Sequence, residues 1–265
     1  MIRLAVRAPA EAAEPVLAAL LELAPGGVEQ VDGKGFVEYA VYGAPGELPA
    51  LPDGDAEVAG VRVRVSATDV PADWSERWKR FHDPVLVGGR LWVRPPWTDP
   101  RRDTPDLVID PGRAFGTGAH PTTRLCLELL LELEPRGSLA DLGCGSGVLA
   151  IAAAKLGFRP VTAVDSEHAA LEATRANARA NGIGPDRIAR LDLRERPPPP
   201  ADTVTANLTR PLLLRVAELM TEPPRALLAS GLLEAEADDV AAAFAPLRER
   251  RRLREQGWSA LLLER

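Results

Sequence analysis

Ala140-Asp141-Leu142-Gly143-Cys144-Gly145-Ser146-Gly147 reads as a buried strand running into a glycine turn, with a carboxylate just before the first glycine. The residues that follow, Val148-Leu149-Ala150-Ile151-Ala152-Ala153-Ala154, are small and apolar, as a helix packed on a sheet must be. Strand, turn and helix in that order begin an alternating α/β sheet. Glycines stand where a ligand lies against the backbone, because a Cβ there would collide with it. Their spacing is G-x-G-x-G, and Val148 occupies the third glycine position of the dinucleotide pattern G-x-G-x-x-G.

The spacing and Asp141 separate two ligands. A carboxylate beside the turn repels a pyrophosphate but suits a cation. S-adenosyl-L-methionine carries a sulfonium and an ammonium, and its nucleoside has no phosphate, so it fits better than NAD. Asp141, Gly143 and Gly145 are therefore expected at the donor. Arg159–Asp165 reads as a second short strand ending in an acid. Asp165 at that tip can accept both ribose hydroxyls of a nucleoside. Its plainer reading is an N-cap for the helix that starts at Ser166.

Composition bounds the class. The chain has 265 residues, 46% hydrophobic and 26% charged, ordinary values for a globular protein of one large or two smaller domains. No apolar run approaches the roughly 20 residues of a membrane span, and Met1-Ile2-Arg3-Leu4 lacks a signal-peptide pattern. The two cysteines, Cys126 and Cys144, have no metal spacing, so no metal site is expected and a reducing cytoplasm fits. A net charge of −6 argues against a general nucleic-acid binder. Arg248, Arg250, Arg251, Arg252 and Arg254 read as a solvated strand edge, interrupted by Glu249 and Glu255. The sharper reading of that cluster is contact with RNA or an acidic protein.

Residues 1–68 form one expected domain, a ferredoxin-like α+β unit of order β-α-β-β-(weak α)-β, with a hairpin at Asp32-Gly33. Residues 69–104 are expected to link it to the rest. This linker holds a helix at Asp73–Phe81 with Trp74, Trp78 and Phe81 on one face, and a strand around Leu91-Trp92-Val93. The tryptophans read as packing residues or, less simply, as a recognition surface. Residues 105–265 alternate strand and helix and close on two strands, giving an α/β, Rossmann-like sheet with its ligand beyond the carboxyl ends of the strands.

Two further segments fall at that edge. Asp110–Thr123 is glycine-rich and precedes a helix. Within it Phe115 can cover a flat ring or the transfer site, and Thr122 and Thr123 can cap the helix and offer hydroxyls. His120 is either a general base or a loop histidine bonded to backbone. Asn207 ends the fourth strand in Ala206-Asn207-Leu208. Its amide oxygen can accept a hydrogen from an incoming amine, or the residue can cap the next helix.

These segments together resemble the bacterial ribosomal protein L11 methyltransferase family, PrmA. The resemblance covers Asp73–Lys79, Leu91-Trp92-Val93, the loop Asp110–Thr123, Asp141–Gly147, Asp165, Ala206-Asn207-Leu208 and Ser230-Gly231-Leu232-Leu233. It implies a seven-stranded methyltransferase sheet, with S-adenosyl-L-methionine held at Thr123, Gly143, Asp165 and Asn207. It also implies a small N-terminal domain that grips the large-subunit ribosomal protein, whose amino groups are methylated. A monomer is expected. Ser166-Glu167-His168 departs from the family, which often has an acid and a proline there. Rival readings are a protein lysine or glutamine methyltransferase with another target, a non-catalytic scaffold and an NAD oxidoreductase. The glutamine enzymes carry N-P-P-Y where this chain has Asn207-Leu208-Thr209-Arg210.

Overall fold

The computed structural model describes residues 2–23, 28–33, 35–43, 48–49, 51–69, 83–111, 118 and 120–265. The chain divides into two compact units, Met1–Phe81 and His82–Arg265. The tryptophan helix expected at Asp73–Phe81 and the residue Phe115 lie outside the described residues.

In the first unit, β1 (Ile2–Pro9) leads through a 3-10 turn into α1 (Ala13–Leu23). The strands β2 (Glu29–Gly33), β3 (Phe36–Gly43), β4 (Gly54–Val58) and β5 (Val61–Asp69) follow. They form a five-stranded sheet in the order β2-β3-β1-β5-β4, antiparallel throughout. Alternation decides its faces: Leu4, Val6 and Ala8, with Val37, Tyr39, Val63 and Val65, bury against Val16 and Leu20 of α1. On the other face Glu38 pairs with Arg3 at 2.7 Å and Arg7 at 2.8 Å.

The order β2-β3-β1-β5 about one helix is the expected ferredoxin-like sandwich, with two corrections. Gly33 pairs with Phe36, so the hairpin turns two residues later than Asp32-Gly33, and Gly35 takes the φ of +79°. The weak second helix is replaced, among the described residues, by β4. That strand joins β5 through Ala59-Gly60, both at positive φ, the geometry of a tight hairpin turn. The prolines and glycine before it, Pro49, Pro52 and Gly54, do not propagate a helix.

The second unit begins with β6 (Val85–Val87), β7 (Leu91–Arg94) and β8 (Asp106–Val108), a three-stranded sheet. Then come α2 (Pro121–Glu132), β9 (Leu139–Leu142), α3 (Val148–Leu156), β10 (Val161–Asp165) and α4 (His168–Asn181). Next are β11 (Arg187–Arg190), β12 (Thr203–Asn207), α5 (Arg210–Leu219), β13 (Ala226–Leu233), α6 (Ala237–Ala243), β14 (Arg248–Glu255) and β15 (Trp258–Glu264). The seven-stranded sheet has the order β11-β10-β9-β12-β13-β15-β14. The first five strands are parallel, and β15 runs antiparallel to both neighbours.

Successive residues of β9 bury on opposite faces, Leu139 with α2 and α3, Ala140 and Leu142 with α5 and α6. Both α2 and α3 touch the large sheet on one side and the small sheet on the other. That double contact explains why α3 is apolar all round and why seven of its residues, Val148 to Ala154, are buried. The linker expected over 69–104 is accordingly corrected: Val87, Leu91 and Val93 belong to the second unit's core, and the division falls at Phe81 and His82. The arginine cluster forms the sheet's edge strand. There Arg252 pairs with Asp238 and Glu249, both at 2.6 Å, while Arg251 approaches Glu132 and Arg254 approaches Glu234.

Candidate functional site

From β9 the chain winds outward through β10 to β11, then returns to place β12 on the other side of β9. Loops diverge at that reversal, and the crevice above it is where an open α/β sheet binds ligands. Leu142 lies opposite Val164 on one side and Ala206 on the other. Asp165 and Asn207 are the next residues of β10 and β12, while β9 has ended and Gly143 begins the turn. The acid and the amide thus end the strands on either side of the glycine turn.

Gly143 and Cys144 both donate to the Val164 carbonyl, which turns the chain sharply off the sheet. Gly143 has φ +71°, and a Cβ on it would strike Leu208 Cδ2. Gly147 has φ +83°, and its Cβ would lie 2.8 Å from Thr174 Cγ2. These positions admit only glycine without strain. Asp165 lies against the turn, accepting from Gly145 N–H at 3.0 Å through Oδ2 and from Glu167 N–H at 3.0 Å through Oδ1. It thus ties the turn to the approach of α4.

Asp141 sits beneath the turn rather than beside its mouth. It is 1% exposed, accepting from Ala150 N–H at 3.1 Å and from the Thr205 hydroxyl at 2.7 Å. Burial pushes its carboxyl up to about 7, against the pull of those two donors. Its oxygens join β9, the first turn of α3 and β12.

Asn207 does not cap the following helix, whose N-cap is Thr209. Its Nδ2 instead donates to Thr123 Oγ1 at 3.3 Å, so β12 and the first turn of α2 meet at the crevice. Thr123 is fully buried, and the Thr122 carbonyl accepts from Ser230 Oγ at 2.9 Å. His120 is the N-cap of α2: its Nδ1 accepts from Thr122 N–H at 3.3 Å and lies 2.8 Å from Thr122 Oγ1. Its ring meets Trp258 edge-on with centroids 5.2 Å apart. Burial, with Arg124 nearby, holds its pKa below the ordinary value. An Nδ1 used as a capping acceptor favours the backbone-bonded reading of this histidine.

One part of the site escaped the sequence reading. On α4, Thr174 Oγ1 donates to the Gly145 carbonyl at 3.0 Å, and Asn177 Nδ2 donates to the Ser146 carbonyl at 2.9 Å. Both side chains are buried. The available signal was polar residues at helical spacing, Thr174, Asn177 and Asn181, on the face that should be apolar.

A family model described as Ribosomal protein L11 methyltransferase (PrmA) matches residues 53–265. The Ribosomal protein L11 methyltransferase of Pseudomonas putida is 43% identical over 178 residues, which cover 65% of this chain and 61% of that protein. The protein of the same name from Vibrio campbellii is 38% identical over 213 residues, covering 74% of this chain and 72% of that one. The crystal structure of ribosomal protein L11 methylase from Lactobacillus delbrueckii subsp. bulgaricus aligns with a TM-score of 0.62 at 27% identity. That alignment covers 69% of this chain and 99% of the other. The match thus spans 61% of the length of the first of these curated relatives. On the extent of the family match, the chain belongs to the ribosomal protein L11 methyltransferase (PrmA) family.

Proposed function

We propose that this chain transfers methyl groups from S-adenosyl-L-methionine to amino groups of ribosomal protein L11, on lysine side chains, the N-terminal amine or both. The observation that carries the reading is the placement of Asp165 and Asn207, at the ends of β10 and β12, on either side of the glycine turn that begins at Gly143, at the sheet's reversal point. The residues present suit the donor. The turn glycines pack directly on Leu208 and Thr174, where a Cβ would clash, and Asp165 at the end of β10 is an acceptor for ribose hydroxyls. Cytoplasmic location goes with a ribosomal acceptor.

When bound, the sulfonium donor supplies an already activated methyl carbon, so the protein's task is alignment and exclusion of water. Asp165 keeps lone pairs beyond the two that Gly145 and Glu167 use, and these accept the ribose hydroxyls. The turn amides and Thr123 fix the donor's other end. An acceptor lysine, with an ordinary pKa of about 10.4, must lose a proton before it attacks. Desolvation at the crevice lowers that value. Asn207, oriented by its bond to Thr123, presents its amide oxygen to an amine hydrogen and aims the nitrogen lone pair at the reacting carbon. Phe115 is assigned to cover the transfer site on the sequence reading alone.

The first unit is assigned to holding the ribosomal protein. It has its own core and a charged sheet face built on Arg3, Arg7 and Glu38. Incubation of the purified chain with donor labelled in the methyl group and with ribosomal protein L11 tests the proposal. Label in methyl-lysine or in the N-terminal amine is expected. Label on glutamine, or none on L11 with an active donor-binding protein, would remove it.

A further inference from the structure

Three side chains lie along one face of α4, Thr174 and Asn177 buried and Asn181 half-buried, and each holds backbone from elsewhere in the chain. Thr174 Oγ1 donates to the Gly145 carbonyl at 3.0 Å, within the glycine turn. Asn181 Nδ2 donates to the Val108 carbonyl at 2.7 Å, and its Oδ1 accepts from Val108 N–H at 3.0 Å, both on β8. Asn177 lies between them and holds both. Its Nδ2 donates to the Ser146 carbonyl at 2.9 Å, and its Oδ1 accepts from Asp110 N–H at 2.9 Å. The side chain is 2% exposed.

We infer that Asn177 is a positioning residue for donor binding, one buried amide that sets the distance between the glycine turn and the strand exit at Asp110. The inference rests on the proposed donor site. Ser146 belongs to the turn whose Gly145 N–H reaches Asp165. Asp110 is where the chain leaves the small sheet on its way to His120 and Thr123, and Thr123 bonds Asn207. The two walls of the crevice come from segments far apart in sequence. Among the described residues, Asn177 is the side chain that bonds to both. The chemistry requires an amide: carboxylate accepts but does not donate, leucine does neither, and glutamine is longer by a methylene. An asparagine inside a helix is a poor helix former. Its place here follows from the two backbone partners it joins.

The test compares Asn177→Ala and Asn177→Asp with Asn181→Ala, which loosens β8 without touching the turn. Calorimetry with S-adenosyl-L-homocysteine, thermal unfolding, and the split of donor KM from kcat on ribosomal protein L11 are the readouts. Both Asn177 variants should weaken ligand binding and raise donor KM about tenfold, within the range of lost buried hydrogen bonds. Their kcat at saturating donor should stay within about twofold. Asn181→Ala should lower the melting temperature comparably and leave ligand affinity unchanged. Should Asn177→Ala fail to fold, Asn177→Asp carries the comparison, since it keeps an acceptor for Asp110 N–H. Unchanged affinity in the folded Asn177 variants, or an equal loss in Asn181→Ala, overturns the inference while the donor site stands. A folded wild type that binds no S-adenosyl-L-homocysteine overturns the donor site, and the inference with it.

Discussion

Three polar side chains of the site work in different ways, and their substitutions should separate. Asp165 offers a charged acceptor at the crevice, so Asp165→Ala should weaken donor binding by roughly 1.5–3 kcal/mol, measured by calorimetry. Unchanged affinity would remove Asp165 from the donor site. Asp141, by contrast, is a buried carboxyl whose pKa rises to about 7 in the folded chain from an ordinary 3.8. Between those values the folded state holds a proton that the unfolded state has released. Its contribution is thus fully present below about pH 4 and is lost as pH rises through about 7. Asp141→Asn can accept from Ala150 N–H and donate to the Thr205 hydroxyl without a charge. Urea unfolding of that variant across pH 4 to 8 should therefore show a flatter decline than wild type, and an identical slope would count against a buried ionising Asp141. His120→Ala should cost about 1 kcal/mol of stability, the usual value of a lost N-cap, with only a mild effect on transfer.

At the scale of elements, the glycine turn is held by what surrounds it as much as by its own sequence. An alanine at Gly147 would need a strained positive φ and would press on Thr174, with Cγ2 at 2.8 Å and Cα at 3.1 Å. Gly147→Ala should lower stability by about 1–3 kcal/mol, read as a fall in the denaturant midpoint. A neutral outcome would mean that α4 yields readily. The turn, the acid at Asp165 and the strand end at Asn207 were legible because strand, glycine and helix signals are local and strong. The support from α4 was not, since Thr174, Asn177 and Asn181 bond to backbone distant in sequence and periodicity cannot see a partner. The strands at 85–94 were read as part of a linker for a similar reason: their burial depends on α2 and α3 lying over them. In the first unit the expected second helix gave way to β4, whose hairpin turn uses Ala59, a residue without a turn signature.

For the whole molecule, the proposal divides labour between two units whose cores are built from separate residues. A fragment of residues 82–265 keeps Asp165, Asn207, the turn and α4. It should bind S-adenosyl-L-homocysteine with near wild-type affinity while losing methylation of ribosomal protein L11. Full activity of the fragment on intact L11 would refute that division. The most direct test of the central claim, that the strand ends about the glycine turn align an amine with a bound sulfonium donor, sets wild type beside Asn207→Ala. Donor affinity and single-turnover methyl transfer to L11 are measured on the same preparations. The account predicts that Asn207→Ala lowers the transfer rate far more than donor affinity, because its partner is the incoming amine. A wild type that transfers no methyl group to L11, or an Asn207→Ala variant that transfers at the full rate, would contradict it.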